Sequence, residues 1–113
     1  MAKVDIVRVD TPEGNVVRGG DPVTVSVTVA PDRGWFNDTA YLVIHFIYAD
    51  TLDISTYLVV YRDDVTIEDT TTINFKVQAE VDAWTGEYFV QIKNKYFKEI
   101  IVSGSAAGTI TVS

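Results

Sequence analysis

Between Gly19-Gly20-Asp21-Pro22 and Pro31-Asp32-Arg33-Gly34 the chain reads Val23-Thr24-Val25-Ser26-Val27-Thr28-Val29. Every second residue is valine, and each residue between carries a small hydroxylated side chain. Successive side chains of an extended strand point to opposite faces, so this segment buries one face and wets the other. A helix cannot use the pattern, because a 3.6-residue period would scatter the valines around its surface. The Gly/Pro clusters at both ends are turn chemistry. A strand with one apolar face needs neighbours beside it and a second layer over it, which commits the chain to antiparallel sheet.

The rest of the sequence agrees. Val and Ile number 28 against 3 Leu, and 13 Thr bring the β-branched residues to 41 of 113. Such side chains are stiff at χ1 and suit a pleated surface. Lys3 to Val9 reads as a first strand whose alternation slips between Ile6 and Val7, the mark of a bulge or a crossing between sheets. Val16-Val17 is a short continuation. Tyr41 to Tyr48 and Ile54 to Tyr61 are predicted strands joined as a hairpin through Ala49–Asp53, and Val65 to Ile67 a small edge strand. Thr71 to Val77 places Ile73, Phe75 and Val77 on one face; Glu87 to Lys93 places Tyr88, Val90 and Ile92 inward. Glu99 to Val102 and Thr109 to Val112 close the chain. About seven to nine strands with regularly spaced turns predict an all-β, antiparallel Greek-key β-sandwich. The length predicts one domain spanning 1–113.

One stretch carries a family resemblance. Asp82-Ala83-Trp84-Thr85-Gly86-Glu87-Tyr88-Phe89-Val90 resembles the approach to strand F of immunoglobulin-like and fibronectin III-like domains. In those domains a Tyr folds its hydroxyl back onto the preceding loop. The resemblance gives that role to Tyr88, bonding backbone within Val81 to Gly86, with Gly86 where a side chain would crowd the turn. The Gly20-Asp21-Pro22 lead and the terminal Gly108-Thr109-Ile110-Thr111-Val112 are similar to bacterial and archaeal immunoglobulin-like modules, the CARDB type among them. The resemblance implies an immunoglobulin-like sandwich serving as a spacer, adhesion unit, or filament or virion subunit, at the cell surface, outside the cell or in a virion. No signal peptide is visible at the start of the chain.

Charge and residue inventory exclude several classes. Sixteen acidic residues against nine basic give a net charge of −7, the wrong sign for a nucleic-acid binder. Lys93, Lys95 and Lys98, interleaved with Tyr96 and Phe97, are too few to reverse that. No apolar run approaches the roughly 20 residues that cross a bilayer as a helix, so membrane insertion is not expected. With no Cys there is no disulfide frame, thiolate zinc site or cysteine nucleophile. His45 is the single histidine and sits in the most apolar strand, which reads as a locally bonded core-side histidine rather than a catalytic base. Asp50, Asp53, Asp63, Asp64, Glu68 and Asp69 lack calcium-loop spacing and read as a solvated acidic rim. Asn37-Asp38-Thr39 is a glycosylation sequon that matters only in a secreted protein. The expectation is therefore a non-enzyme with no cofactor and no metal.

One pattern points to a partner. Tyr41 to Tyr48 does not alternate: Leu42, Ile44, Phe46 and Tyr48 share one face, while Tyr41, Val43, His45 and Ile47 make the other nearly as apolar. In Ile54 to Tyr61 the second face carries Tyr57, Val59 and Tyr61. Two adjacent strands apolar on both faces need a second burial partner. The predicted interface is Val43, Ile47, Tyr57, Val59 and Tyr61, taking another copy or a neighbouring domain; a loop of the same chain, Trp35-Phe36 or Val65 to Glu68, is the alternative cover. Opposite charge at the acidic 50–69 region and the Lys93 to Lys98 turn offers a head-to-tail device. The alternative function is a carbohydrate-binding module stacking sugars on Trp35, Trp84, Tyr57 and Tyr61.

Overall fold

A computed structural model describes residues 6–29, 36, 42–94, 99–102 and 108–113. Within them the strands run, in chain order, β1 (Ile6–Asp10), β2 (Val23–Val29), β3 (Leu42–Tyr48), β4 (Ile54–Ser55), β5 (Leu58–Val60), β6 (Thr66–Asp69), β7 (Thr72–Ala79), β8 (Gly86–Asn94), β9 (Glu99–Val102) and β10 (Ile110–Val112). A 3-10 turn, Arg62–Asp64, separates β5 from β6.

Two antiparallel sheets result. The first has the order β1-β2-β7-β5, with β6 also on β7; the second has the order β10-β8-β3-β4, with β9 also on β8. This is an immunoglobulin-like β-sandwich. The alternation of β2 decides its placement: Val25, Val27 and Val29 are fully buried, while the hydroxylated residues between them are half-exposed. Facing them across the interior are Phe46, Tyr88, Val90 and Ile92 of the second sheet, in one core with Ile73, Phe75 and Val77. The slip between Ile6 and Val7 is a register shift between Ile6 and Arg8 that turns Val7 out to solvent. Val16 bridges to Val112 of the second sheet and Arg18 to Ala79 of the first, so this short run crosses from one sheet to the other. Both C-terminal segments pair with β8, β10 against Gly86–Tyr88 and β9 against Gln91–Asn94.

One predicted strand is corrected. Ile54 to Tyr61 is not continuous: β4 pairs with β3 in the second sheet, and β5 pairs with β7 in the first. The cause is local. The Ser55 hydroxyl accepts the backbone N–H of Tyr57 at 3.2 Å, a turn that competes with ladder bonding. Tyr57 then accepts the Glu80 N–H at 2.9 Å, which delivers the chain to β7.

Candidate functional site

Two regions collect the residues that chemistry can use: an aromatic pocket at one end of the sandwich and the outer face of the second sheet.

The pocket begins with the end of β3. Tyr48 closes the β3–β4 hairpin by donating its N–H to the Asp53 carbonyl at 2.9 Å, and Leu52 takes the left-handed position of the turn with φ 61°. From the other side comes the corner before β8. Tyr88 is 1% exposed and its hydroxyl donates to the Trp84 carbonyl at 2.6 Å, the corner that the Trp84–Tyr88 sequence implied. Tyr48 adds a parallel tether, donating its hydroxyl to the Thr85 carbonyl at 2.8 Å. Gly86 has φ 132°, and a Cβ there would stand 3.1 Å from the Tyr48 hydroxyl, so a side chain would disturb the Tyr48 tether. Burial, reinforced by the nearby Tyr48, holds the Tyr88 phenol above its ordinary range, with bonds to Ser55 and Trp84 pulling the other way.

These constraints shape about 120 Å³ lined by Tyr48, Tyr57, Trp84 and Tyr88, with Ile54 beside them and Asp53, Ser55 and Thr56 as its polar walls. Tyr48 meets Trp84 edge-on, centroids 5.2 Å apart and planes at 69°, and meets Tyr88 at 5.0 Å and 54°. Trp84 and Tyr57 are exposed, at 58% and 44%.

The outer faces of the two sheets differ. On the first, Thr24, Ser26 and Thr28 stand opposite Lys76, Asn74 and Thr72. The Ser26 hydroxyl donates to Asn74 Oδ1, Tyr61 donates to Gln78 Oε1 at 2.7 Å, and Gln78 Nε2 donates to the Gly20 carbonyl at 3.0 Å. At its margins, Thr24 bonds hold the Glu13 carboxyl below its ordinary range, and Thr71 bonds do the same for Asp69. On the second sheet, Ile54, Ile47 and Phe89 form one row across β4, β3 and β8, and Val43 lies further along the same face opposite Lys93, beyond the His45–Gln91 pair. Ile54 is 51% exposed; Ile47, Phe89 and Val43 are half-buried. His45 Nδ1 lies 3.3 Å from Gln91 Oε1, a local bond on this face.

The five predicted interface residues are therefore divided. Val43 and Ile47 lie on the second sheet, Val59 and Tyr61 flank β7 on the first, and Tyr57 lines the pocket between. They do not form one face, because the break after Ser55 carries the last three away from β3. Of the predicted sugar platform, Trp84 and Tyr57 meet at the pocket and Tyr61 does not. Trp35, Asn37–Thr39, Lys95 and Lys98 lie outside the described residues. Neither described part of the predicted loop cover lies over the second sheet's outer face: Phe36 is fully buried in the core, and Val65 and Ile67 pack against it. Among the described residues no three of His, Asp and Glu converge as a metal site, and no helix is long and apolar enough to cross a membrane. Sequence reasoning missed Ile54, Phe89, Tyr48 and Asp53. The period-2 pattern of β8 carries a signal for Phe89, which falls on its outward face between Glu87 and Gln91.

Comparison with solved structures finds the crystal structure of the Lin-41 filamin domain similar over 100% of this chain and 95% of that one, at 16% identity and a TM-score of 0.50. That likeness supports the immunoglobulin-like sandwich. No family model matches the chain, and no curated protein matches it.

Proposed function

We propose that this chain is a non-enzymatic structural and protein-interaction domain that associates through the outer face of its second sheet, with another copy of itself as the partner tested first. One observation carries the reading: the row Ile54–Ile47–Phe89 is apolar on a face that strand alternation turns outward, with Val43 on the same face beyond the His45–Gln91 pair. Water-facing sheet surfaces are ordinarily polar, as those of β2 and β7 are here, and contiguous outward apolar surface marks contact sites. The interface proposed from this face keeps Val43 and Ile47 and adds Ile54 and Phe89. Adhesion or assembly at a cell surface or in a virion, in the manner of bacterial and archaeal modules, belongs to the same proposal and rests on the Gly20-Asp21-Pro22 and Gly108–Val112 resemblance.

The carbohydrate reading is less favoured. Trp84 and Tyr48 stand at 69° to each other, a corner rather than a flat stacking surface, and Tyr61 is engaged with Gln78 elsewhere. Sedimentation at two protein concentrations tests the association. The wild type is expected to gain mass with concentration, and Ile47→Lys, which places a charge in the contact, is expected to stay monomeric with an unchanged melting temperature. A monomeric wild type at both concentrations would contradict self-association.

A further inference from the structure

We propose that the aromatic pocket at the end of the sandwich binds an organic cation, an alkylated ammonium head group, between Trp84, Tyr57 and Tyr48 with Asp53 as its counter-charge. The inference stands on the pocket's own residues and not on association through the second sheet, with Ile54 alone common to the two surfaces.

The first argument is shape. Trp84 and Tyr48 meet at 69° with centroids 5.2 Å apart, and Tyr57 adds a third aromatic wall. Rings set at steep angles make a corner, and a compact cation in a corner can lie near more than one ring at once. At about 120 Å³ the space is well below the roughly 300–1,000 Å³ of sites for drug-sized ligands, and suits a head group rather than an extended molecule.

The second argument is the inventory of donors and acceptors. The hydroxyl protons of Tyr48 and Tyr88 are both directed into backbone, at Thr85 and Trp84. Those phenols have no proton left for a ligand. What they offer is ring surface, to which Trp84 adds its own, and the face of such rings attracts positive charge. The ionised Asp53 side chain only accepts. Its backbone is fixed at the rim by the Tyr48 N–H to Asp53 carbonyl bond, and among the described residues no cation pairs with its carboxylate. Ser55, Thr56 and Tyr57 are the remaining hydroxyl residues of the lining, where Ser55 accepts the Tyr57 N–H, and Trp84 adds an indole N–H. The ring faces and the Asp53 carboxylate favour a cation over an anion, and the lining's remaining donors make a sugar the competitor that the cellobiose arm of the test decides. The net charge of −7 concentrates cations around the protein as a whole.

The test is a titration of the intact chain with choline, followed by tryptophan fluorescence, beside its uncharged isostere 3,3-dimethylbutan-1-ol and beside cellobiose. Saturable choline binding is expected, with the isostere at least about threefold weaker, the scale of an exposed cation–π contact. Trp84→Phe should remove the signal, which separates it from Trp35. Asp53→Asn and Tyr57→Ala should each weaken choline by roughly threefold, with unchanged thermal melts, since both side chains are exposed. A peptide carrying trimethyllysine distinguishes the source: tighter binding than choline assigns a protein side chain, equal binding a free head group. Equal binding of the isostere, saturation by cellobiose without choline, an absence of saturation, or variants that bind choline like the wild type would overturn the proposal.

Discussion

The two sheets share one interior and differ on their outer sides. Along β2 and β7 each outward residue meets a polar partner: Ser26 bonds Asn74, Thr28 faces Thr72, and Gln78 ties Tyr61 to Gly20. Along β4, β3 and β8 the outward row is Ile54, Ile47 and Phe89. Both surfaces obey the period-2 rule, so secondary structure does not distinguish them. What differs is that the outward side of the second sheet interrupts its polar residues with one apolar row. The outward side of β2 and β7 is finished by its own hydrogen bonds; the row on the second sheet leaves apolar area whose removal from water would stabilise a complex by about 25 cal/mol per Å² before association costs.

The largest expected effect breaks that contrast directly. Ile47→Lys should weaken association at least about 30-fold, as loss of a central contact does, whereas Ser26→Lys on the other face should leave association unchanged; sedimentation reads both. Because apolar contact is only weakly screened, the wild-type association should survive high salt. Tyr88→Phe tests the support common to both sheets. It removes the bond to the Trp84 carbonyl and should cost about 1–2 kcal/mol in denaturant unfolding. Asn74→Ala removes one polar contact of the first sheet and should cost about 1 kcal/mol or less, again without effect on association.

The smallest effect is acid sensitivity. Glu13 and Asp69 sit on the first-sheet side with carboxyls held below their ordinary range by Thr24 and Thr71. Their stabilisation is present above the unfolded pKa, near pH 4, and is lost as pH falls through the folded value. Glu13→Gln should flatten part of that acid slope in thermal melts. A wild-type melting temperature that rose on acidification through this range would contradict the assignment.

Particular residues show what was legible in the sequence. The β2 alternation and its flanking turns located the strand and its buried face, because both are local properties. Trp84-Thr85-Gly86-Glu87-Tyr88 located the corner, since its tyrosine bonds a carbonyl four residues away. The break between β4 and β5 was hidden: Ile54 to Tyr61 reads as one strand, and a single Ser55 hydroxyl bond to the Tyr57 N–H redirects it. That turn moved Val59 and Tyr61 away from Val43 and Ile47. The pocket was hidden for a related reason. Tyr48, Asp53, Tyr57 and Trp84 come from separate segments, and only tertiary packing brings them together.

The contrast between the faces is tested most directly by backbone amide spectra of the protein at low and high concentration. The account predicts concentration-dependent shifts at Val43, Ile47, Ile54 and Phe89, and unchanged signals at Ser26, Thr28 and Asn74. Shifts confined to β2 and β7, or spectra identical at both concentrations, would contradict it.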